Sequence, residues 1–408
     1  MKSDRGYPQI EITKKAENSI RAGHPWVYDT EVVKKEPCGD GELADVISSK
    51  GRYLGTGLVN SHSKIRIRLL SQNANDRFDE AFFERRFRHA WEYRKTVMGQ
   101  DISCCRIVFG EADFFPGLTV DRFSNILVTQ TLSLGMEKRK EMLFPLLCKI
   151  LKEDGQQIDG VYERNDVAIR ELEGMQQGKG FFPLPGLPEY SSTCTTITEN
   201  GIVYSVDFEN GQKTGFFLDQ KYNRQAVARL SRGKNVLDCF THTGSFALNA
   251  AAGGAAHVHA VDISESAIEM ARRNAEQNHL ADRMSFEAVN VFDLLPSLPE
   301  NGKSGYDFII LDPPAFTKSR QTVEHAIRGY KEINLRAMKL LPRGGYLATC
   351  SCSHFMTDKL FIEMLHDAAA DACVTLRQIE ARQQSPDHPI LWNVPETNYL
   401  KFYLFQVV

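Results

Sequence analysis

Nothing in this 408-residue chain approaches the roughly 18 uninterrupted apolar residues of a membrane span. The charged start (Lys2, Asp4, Arg5) has no apolar stretch behind it. The expectation is therefore a cytoplasmic protein without a membrane partner. Cysteine pairing is equally scarce: nine cysteines, an odd number, include no CxxC pair and no zinc-finger spacing. Free thiols in a reducing compartment and no metal site are expected. No internal repeat or low-complexity tract stands out, and the net charge of −3 excludes a uniformly basic nucleic-acid coat.

What is present reads as an ordinary globular chain, with 42% hydrophobic and 25% charged residues and a length suited to two or three domains. Its charge is uneven. Residues 50–95 hold eleven Lys/Arg (Lys50, Arg52, Lys64, Arg66, Arg68, Arg77, Arg85, Arg86, Arg88, Arg94, Lys95) against five acids. Such a surplus suggests a polyanion-binding region; the plainer reading is the solvated faces of a strand and a helix.

Residues 1–75 are short β-rich pieces broken by glycine, expected to form a small barrel. In Ile65–Leu70 alternation places Arg66 and Arg68 on one exposed strand face, where they would meet a polyanion. Residues 76–190 are mixed α+β: a helix over Asp79–Met98, hairpin-like strands around Gly110–Asp113 and Ile126–Thr129, a helix near 137–152 and a strand near 159–163. A linker with Gly178, Gly180, Pro183, Pro185, Gly186 and Pro188 closes this part. From 191 to 408 strand and helix patterns alternate. That predicts a Rossmann-like α/β domain with a parallel sheet, covered on both faces, and ligands at the carboxyl ends of its strands.

The turn Asp238-Cys239-Phe240-Thr241-His242-Thr243-Gly244 follows the first of those strands and opens a helix. Gly244 permits a tight turn, and the helix N-terminus favours an anionic group. Asp262, eighteen residues after Gly244, ends the next strand, where a carboxylate can accept from both ribose hydroxyls. The turn lacks the GxGxxG of a dinucleotide site. A nucleoside with a small charged tail fits better, and with Asp312-Pro313-Pro314 the pattern resembles the S-adenosylmethionine site of class I methyltransferases. Asn290 stands where that class often uses Asp near the adenine amine, and an amide can both accept and donate there. Phe217 and Phe240 could wall the cofactor while Gln220 or Arg224 meets its methionine end. Alternatively, Phe216 and Phe217 are core anchors and Arg224 a helix-face charge.

Thr349-Cys350-Ser351-Cys352-Ser353 ends an apolar run forty residues after Asp312. No cysteine follows Pro313-Pro314, only Ala315-Phe316-Thr317-Lys318. A pyrimidine-modifying site here would have one working thiol. Carbon 5 of a pyrimidine is a poor nucleophile until a thiolate adds to carbon 6. Cys352, nearer the rim than Cys350, suits that role, and Asp312 could stabilise charge at ring nitrogen 3. Phe316 could stack on an extruded base. The bland reading makes both cysteines packed core thiols.

At these residues the chain resembles the large-subunit (23S) ribosomal RNA cytosine-5 methyltransferase family, over essentially its whole length. His24-Pro25-Trp26-Val27, Gly110-Glu111-Ala112-Asp113, Pro116 through Arg122, Glu163 through Val167, Lys213-Thr214-Gly215, Asp219-Gln220, Arg328 through Lys331 and Asp387-His388-Pro389 carry the likeness. The resemblance implies an N-terminal RNA-binding PUA domain, a central β-α-β domain, a C-terminal methyltransferase domain, S-adenosylmethionine as cofactor and ribosomal RNA as partner. It also implies Cys352, not Cys350, as nucleophile. It does not identify the base that removes the carbon-5 proton, for which His354 and Asp312 are candidates. The oligomeric state stays open, a homodimer included. Rival readings are uracil-5 methylation, exocyclic amine methylation (against which Ala315 before Phe316 counts), a small-molecule methyltransferase and a non-catalytic RNA-binding assembly factor.

Overall fold

The computed structural model describes residues 5–185, 190–317 and 319–408. Lys2, Asp4, the linker's Gly186 and Pro188, and Lys318 lie outside the described residues. By internal contact the chain forms two compact units: Met1–Ile197 with Val206–Leu218 and Pro386–Thr397, and Thr198–Ser205 with Asp219–Ser385 and Asn398–Val408.

The first unit opens with β1 (Gln9–Ile12), α1 (Lys14–Arg21), β2 (Trp26–Tyr28), β3 (Val32–Lys35), β4 (Leu43–Ile47), β5 (Tyr53–Val59) and β6 (Ile65–Ser71). These strands form one sheet in the order β2-β6-β5-β4-β1-β3 around Ile10, Ile12, Val27, Val46, Val59 and Ile67. Gly57 is required there: a Cβ would lie 2.6 Å from the Arg68 carbonyl oxygen on the paired strand.

Next come α2 (Glu80–Met98), β7 (Cys104–Phe109), β8 (Leu118–Phe123), β9 (Ile126–Thr131), α3 (Leu134–Glu137), α4 (Lys140–Glu153), β10 (Gly160–Arg164), α5 (Ile169–Leu172) and β11 (Lys179–Phe182). The strands make a second sheet ordered β11-β10-β9-β8-β7. Asp79 caps α2 by accepting from the Phe82 N–H, and the face carrying Phe82, Phe83, Phe87 and Trp91 is buried. Gly110–Asp113 is a 3₁₀ turn joining the antiparallel pair β7 and β8, the hairpin expected around it. Asp113 accepts from the Phe109 N–H across the turn, and Phe114 after it takes a left-handed φ of 62°.

Part of the basic surplus of residues 50–95 is met by acids outside that window. Arg94 is fully buried and paired with Asp113, and Arg88 meets Glu153 as well as Glu84. Arg68 is ion-paired with Glu111 and Glu173 and lies over the Trp26 ring. The exposed strand face expected for Arg66 and Arg68 is therefore corrected: both are half-buried, and Arg66 donates to the Asn60 carbonyl. Alternation reported the strand correctly but could not see which loops would cover it.

A hairpin of β12 (Cys194–Glu199) and β13 (Ile202–Asp207) divides its residues between the units. The second unit continues through α6 (Lys221–Leu230), β14 (Asn235–Cys239), α7 (Ser245–Ala252), β15 (His257–Asp262), α8 (Glu265–Gln277), β16 (Met284–Ala288), α9 (Val291–Ser297), β17 (Phe308–Leu311), α10 (Val323–Leu340), β18 (Tyr346–Ser351), α11 (Asp358–Asp371), β19 (Leu376–Arg382) and β20 (Lys401–Val407). Its sheet runs β16-β15-β14-β17-β18-β20-β19. Pairings from β16 to β18 are parallel, whereas β20 runs antiparallel to β18 and β19. Because β14 pairs β15 on one side and β17 on the other, the chain order reverses there. The carboxyl ends of β14 and β17 thus flank the crevice in which such sheets bind ligands.

Candidate active site

Three backbone features shape the turn after β14. Phe240, His242 and Gly244 all take positive φ (63°, 51° and 83°), a conformation two L-residues hold only when their surroundings fix it. The fixing contacts are visible. Asp238 Oδ2 accepts from Thr241 Oγ1 at 2.6 Å and from the Ala247 N–H at 2.9 Å, while Asp262 accepts from the His242 and Ser264 N–H groups. Gly244 is needed for its left-handed φ and for packing, since a Cβ would stand 3.0 Å from Ala271 on α8.

Asp312 follows β17 directly. Its Oδ1 accepts from Gln220 Nε2 at 3.0 Å, and Gln220 in turn accepts from Asn223, which is held by Arg382. Cys350 stands beside Asp312, next along from the paired Leu311 and Thr349. Burial and the charge of Asp219 push Asp312 up to about 7. Burial, with Asp312 and Asp262 adding to it, does the same to Asp238. One buried oxygen of Asp238 and one of Asp219 have no hydrogen-bond partner among the described residues. A crevice of crowded, under-bonded carboxylates suits a ligand that is cationic and rich in hydroxyl and amine donors.

Not every expected cofactor residue belongs to this group. Arg224 is 1% exposed and makes a two-pronged ion pair with Glu199, Nε to Oε1 at 2.6 Å and Nη2 to Oε2 at 2.8 Å. That pair engages one edge of the guanidinium, whose charge also acts on Asp312; Glu199 sits 25 residues away, and nothing local pointed to it. Asn290 caps α9 by accepting from the Phe292 N–H, which engages one lone pair and leaves its amide hydrogens. Phe217 falls in the first unit, where Phe216 is buried. Phe240 and Phe316 share an aromatic cluster with Phe292 and Tyr330, and Phe316 lies 4.6 Å from the Tyr330 ring. Gly329 makes room for it, a Cβ there meeting the Phe316 ring at 3.2 Å. One face of Phe316 is therefore packed.

The two cysteines separate physically. Cys350 is fully buried within β18, and burial beside Asp312 drives its thiol far above the usual range, which makes it inert. Cys352 lies just past the strand end and is half-buried. Serines pin it from both sides: Ser351 donates to the Tyr330 hydroxyl at 3.1 Å, and Ser353 to the Thr317 carbonyl at 2.8 Å. The second bond ties the thiol's loop to the segment after Asp312-Pro313-Pro314. His354 is exposed and rests edge-on against Phe355.

Sequence reasoning missed Lys401, which is 3% exposed and donates to the Ser353 carbonyl at 2.7 Å. A lone lysine inside the apolar stretch Leu400–Phe405 was the available signal. The motifs around Asp113, Asp121, Asn165 and Asp387 prove to be internal ties of the first unit. Asp113 holds Arg94, Asp121 holds Arg106 and Thr214, Asn165 accepts from the Thr131 N–H, and Asp387 accepts from the Arg106 N–H. Among the described residues no group of three His, Cys, Asp or Glu could hold a metal, and no helix is long and apolar enough to cross a membrane.

A family model for a PUA-like domain matches residues 10–72, and one for an S-adenosylmethionine-dependent methyltransferase matches residues 188–406. Ribosomal RNA large subunit methyltransferase I of Klebsiella pneumoniae (strain 342) is 36% identical over 409 aligned residues, covering 100% of both chains. The protein of the same name from Escherichia coli (strain K12) is 37% identical over 403, covering 98% of this chain and 99% of that one. A candidate methyltransferase solved with SAH bound has the same fold, with a TM-score of 0.82 at 21% identity, 98% of this chain and 100% of that one being covered.

S-Adenosylmethionine is thus the cofactor, and its sulfonium and ammonium are the cationic groups that the crowded carboxylates call for. Asp238, Asp262, Asp312 and Gln220 are the residues of the crevice that would hold it. The sign of its pH dependence follows. A carboxylate raised from about 4 to about 7 keeps its proton in the folded chain, so its contribution to stability is complete below about 4 and is lost as pH rises through 7. A cationic ligand favours the ionised form, so binding expels protons below pH 7. Calorimetry should show affinity for S-adenosylmethionine rising from pH 6 to 7.5, by up to about tenfold per pH unit per proton released, then levelling. Flat affinity would remove Asp238 and Asp312 from the cofactor's surroundings. The full-length identity to the curated relatives, the methyltransferase model over more than half the chain and the sheet's switch-point crevice agree: this chain belongs to the ribosomal RNA large subunit methyltransferase I family of S-adenosylmethionine-dependent methyltransferases.

Proposed function

We propose that the protein transfers a methyl group from S-adenosylmethionine to carbon 5 of a cytosine in 23S ribosomal RNA, through a covalent bond between Cys352 and carbon 6. The observation that carries the reading is the asymmetry at the end of β18: one thiol sealed against Asp312, the other at the rim on a loop pinned to the Asp-Pro-Pro segment. In this reading the Cys352 thiolate adds to carbon 6, and the pair displaced toward carbon 5 attacks the methyl group. Loss of the carbon-5 proton then expels the thiolate. Asp312, half-buried at the carboxyl end of β17, is suited to hydrogen-bond the base edge at ring nitrogen 3 and so stabilise the adduct. Its half-buried place at the strand end, against the exposed position of His354, also makes it the better candidate for handling the released proton.

We assign RNA capture to the front of the chain, residues 1–75, with 76–190 as a connecting domain and 191–408 as the catalytic one, in a cytoplasmic setting. Arg66 and Arg68 serve there by shaping the strand more than by direct contact with phosphate. Nucleosides from rRNA methylated in vitro should contain 5-methylcytidine by mass spectrometry. The appearance of 5-methyluridine alone would replace the base assignment while leaving the covalent chemistry in place.

A further inference from the structure

Lysine is almost never fully buried unless an anion accompanies it. Lys401, the first residue of β20, pairs in register with Ser351 of β18, which places it beside the strand end that carries Cys352. Its ammonium donates to two neutral carbonyls, Ser353 at 2.7 Å and Tyr399 at 2.8 Å. Among the described residues no carboxylate forms an ion pair with it. Asp358 at the start of α11 and the Cys352 thiol are the anionic groups that favour its charge, against a burial that draws it down to about 8. Among the described residues, Cys350 within β18 and Tyr330 on α10 also face the thiol, and burial keeps both neutral. A buried cation is therefore built in beside the strand end that carries the thiol.

We propose that Lys401 is a positioning residue for the reaction, fixing the Ser353 carbonyl behind the nucleophile and supplying the positive charge that stabilises the Cys352 thiolate. The proposal rests on reading Cys352 as the nucleophile. By linkage, whatever the thiolate does to favour the ammonium, the ammonium does to favour the thiolate. A lysine whose work was only to hold the loop would fix the Ser353 carbonyl equally well with the thiol protonated.

The test follows alkylation of Cys352 by iodoacetamide as a function of pH, read on its peptide by mass spectrometry, in wild type, Lys401→Met and Lys401→Arg. The expected result is a thiol midpoint at least one pH unit higher in Lys401→Met, with about tenfold slower alkylation at pH 7, and a midpoint restored toward wild type in Lys401→Arg. Unchanged midpoints in folded Lys401→Met would overturn the inference. Should that variant not fold, wild-type Cys352 must itself titrate below its midpoint in urea, and a native midpoint at or above that value would overturn it equally. Methyl transfer by Cys352→Ala is measured alongside. Full activity there would remove the covalent reading, an outcome distinct from an absent midpoint shift.

Discussion

Replacing Cys352 with alanine is expected to lower methyl transfer by at least about 10³–10⁴-fold, the scale on which covalent enzymes suffer when their nucleophile is removed. S-Adenosylmethionine affinity should stay within a few-fold of wild type. Cys350→Ala should keep most of the activity, because that thiol is sealed inside β18 and its charge state is the wrong one for attack. A modest loss is expected even so, because the Cys350 side chain packs beside Asp312. Single-turnover assays with both variants check this. Near-equal, near-wild-type rates would remove covalent catalysis from the account, and a larger loss from Cys350→Ala would exchange the roles.

Arg224→Met should destabilise the protein by about 3–5 kcal/mol, because it leaves the Glu199 carboxylate, 0% exposed, without its counter-charge. In a domain of this size that corresponds to a fall in melting temperature of roughly 10 °C. The double variant Arg224→Met with Glu199→Gln should recover a substantial part of it, since the uncompensated charge is then gone. Cofactor affinity measured below the transition should change little. Undiminished stability with a hundredfold loss of S-adenosylmethionine binding would restore Arg224 to the cofactor site and refute the structural role given to it here. Thermal unfolding and calorimetry on the same three proteins decide the matter.

The order of helices and strands in the second unit was legible because each repeats a strong local pattern. Phe308–Leu311 is a buried apolar run, Ser264 and Thr357 are caps, and Gly244 marks the turn. The positions of Asp238, Asp262, Asp312 and Cys352 followed, since each stands at or just past a strand end. What could not be read was pairing at a distance. Nothing near Arg224 announces Glu199, and nothing near Arg68 announces Glu111 and Glu173. Arginine at an exposed register looks the same whether it awaits phosphate or has already found a carboxylate. The reversal of β20 was also hidden, because an apolar strand carries no mark of its direction. The return of Pro386–Thr397 to the first unit likewise depends on bonds such as Arg94 to the Asp387 carbonyl, which only the fold creates.

The central claim is a bond between Cys352 and the target base. It is tested most directly with substrate RNA carrying 5-fluorocytosine, whose carbon 5 accepts the methyl group but has no proton to release. With S-adenosylmethionine present, the account predicts a stable protein–RNA adduct of which the nuclease-digested, methylated nucleotide remains attached to the Cys352 peptide. Methyl transfer to normal RNA with no adduct on the fluorinated one, or an adduct on Cys350, would contradict it.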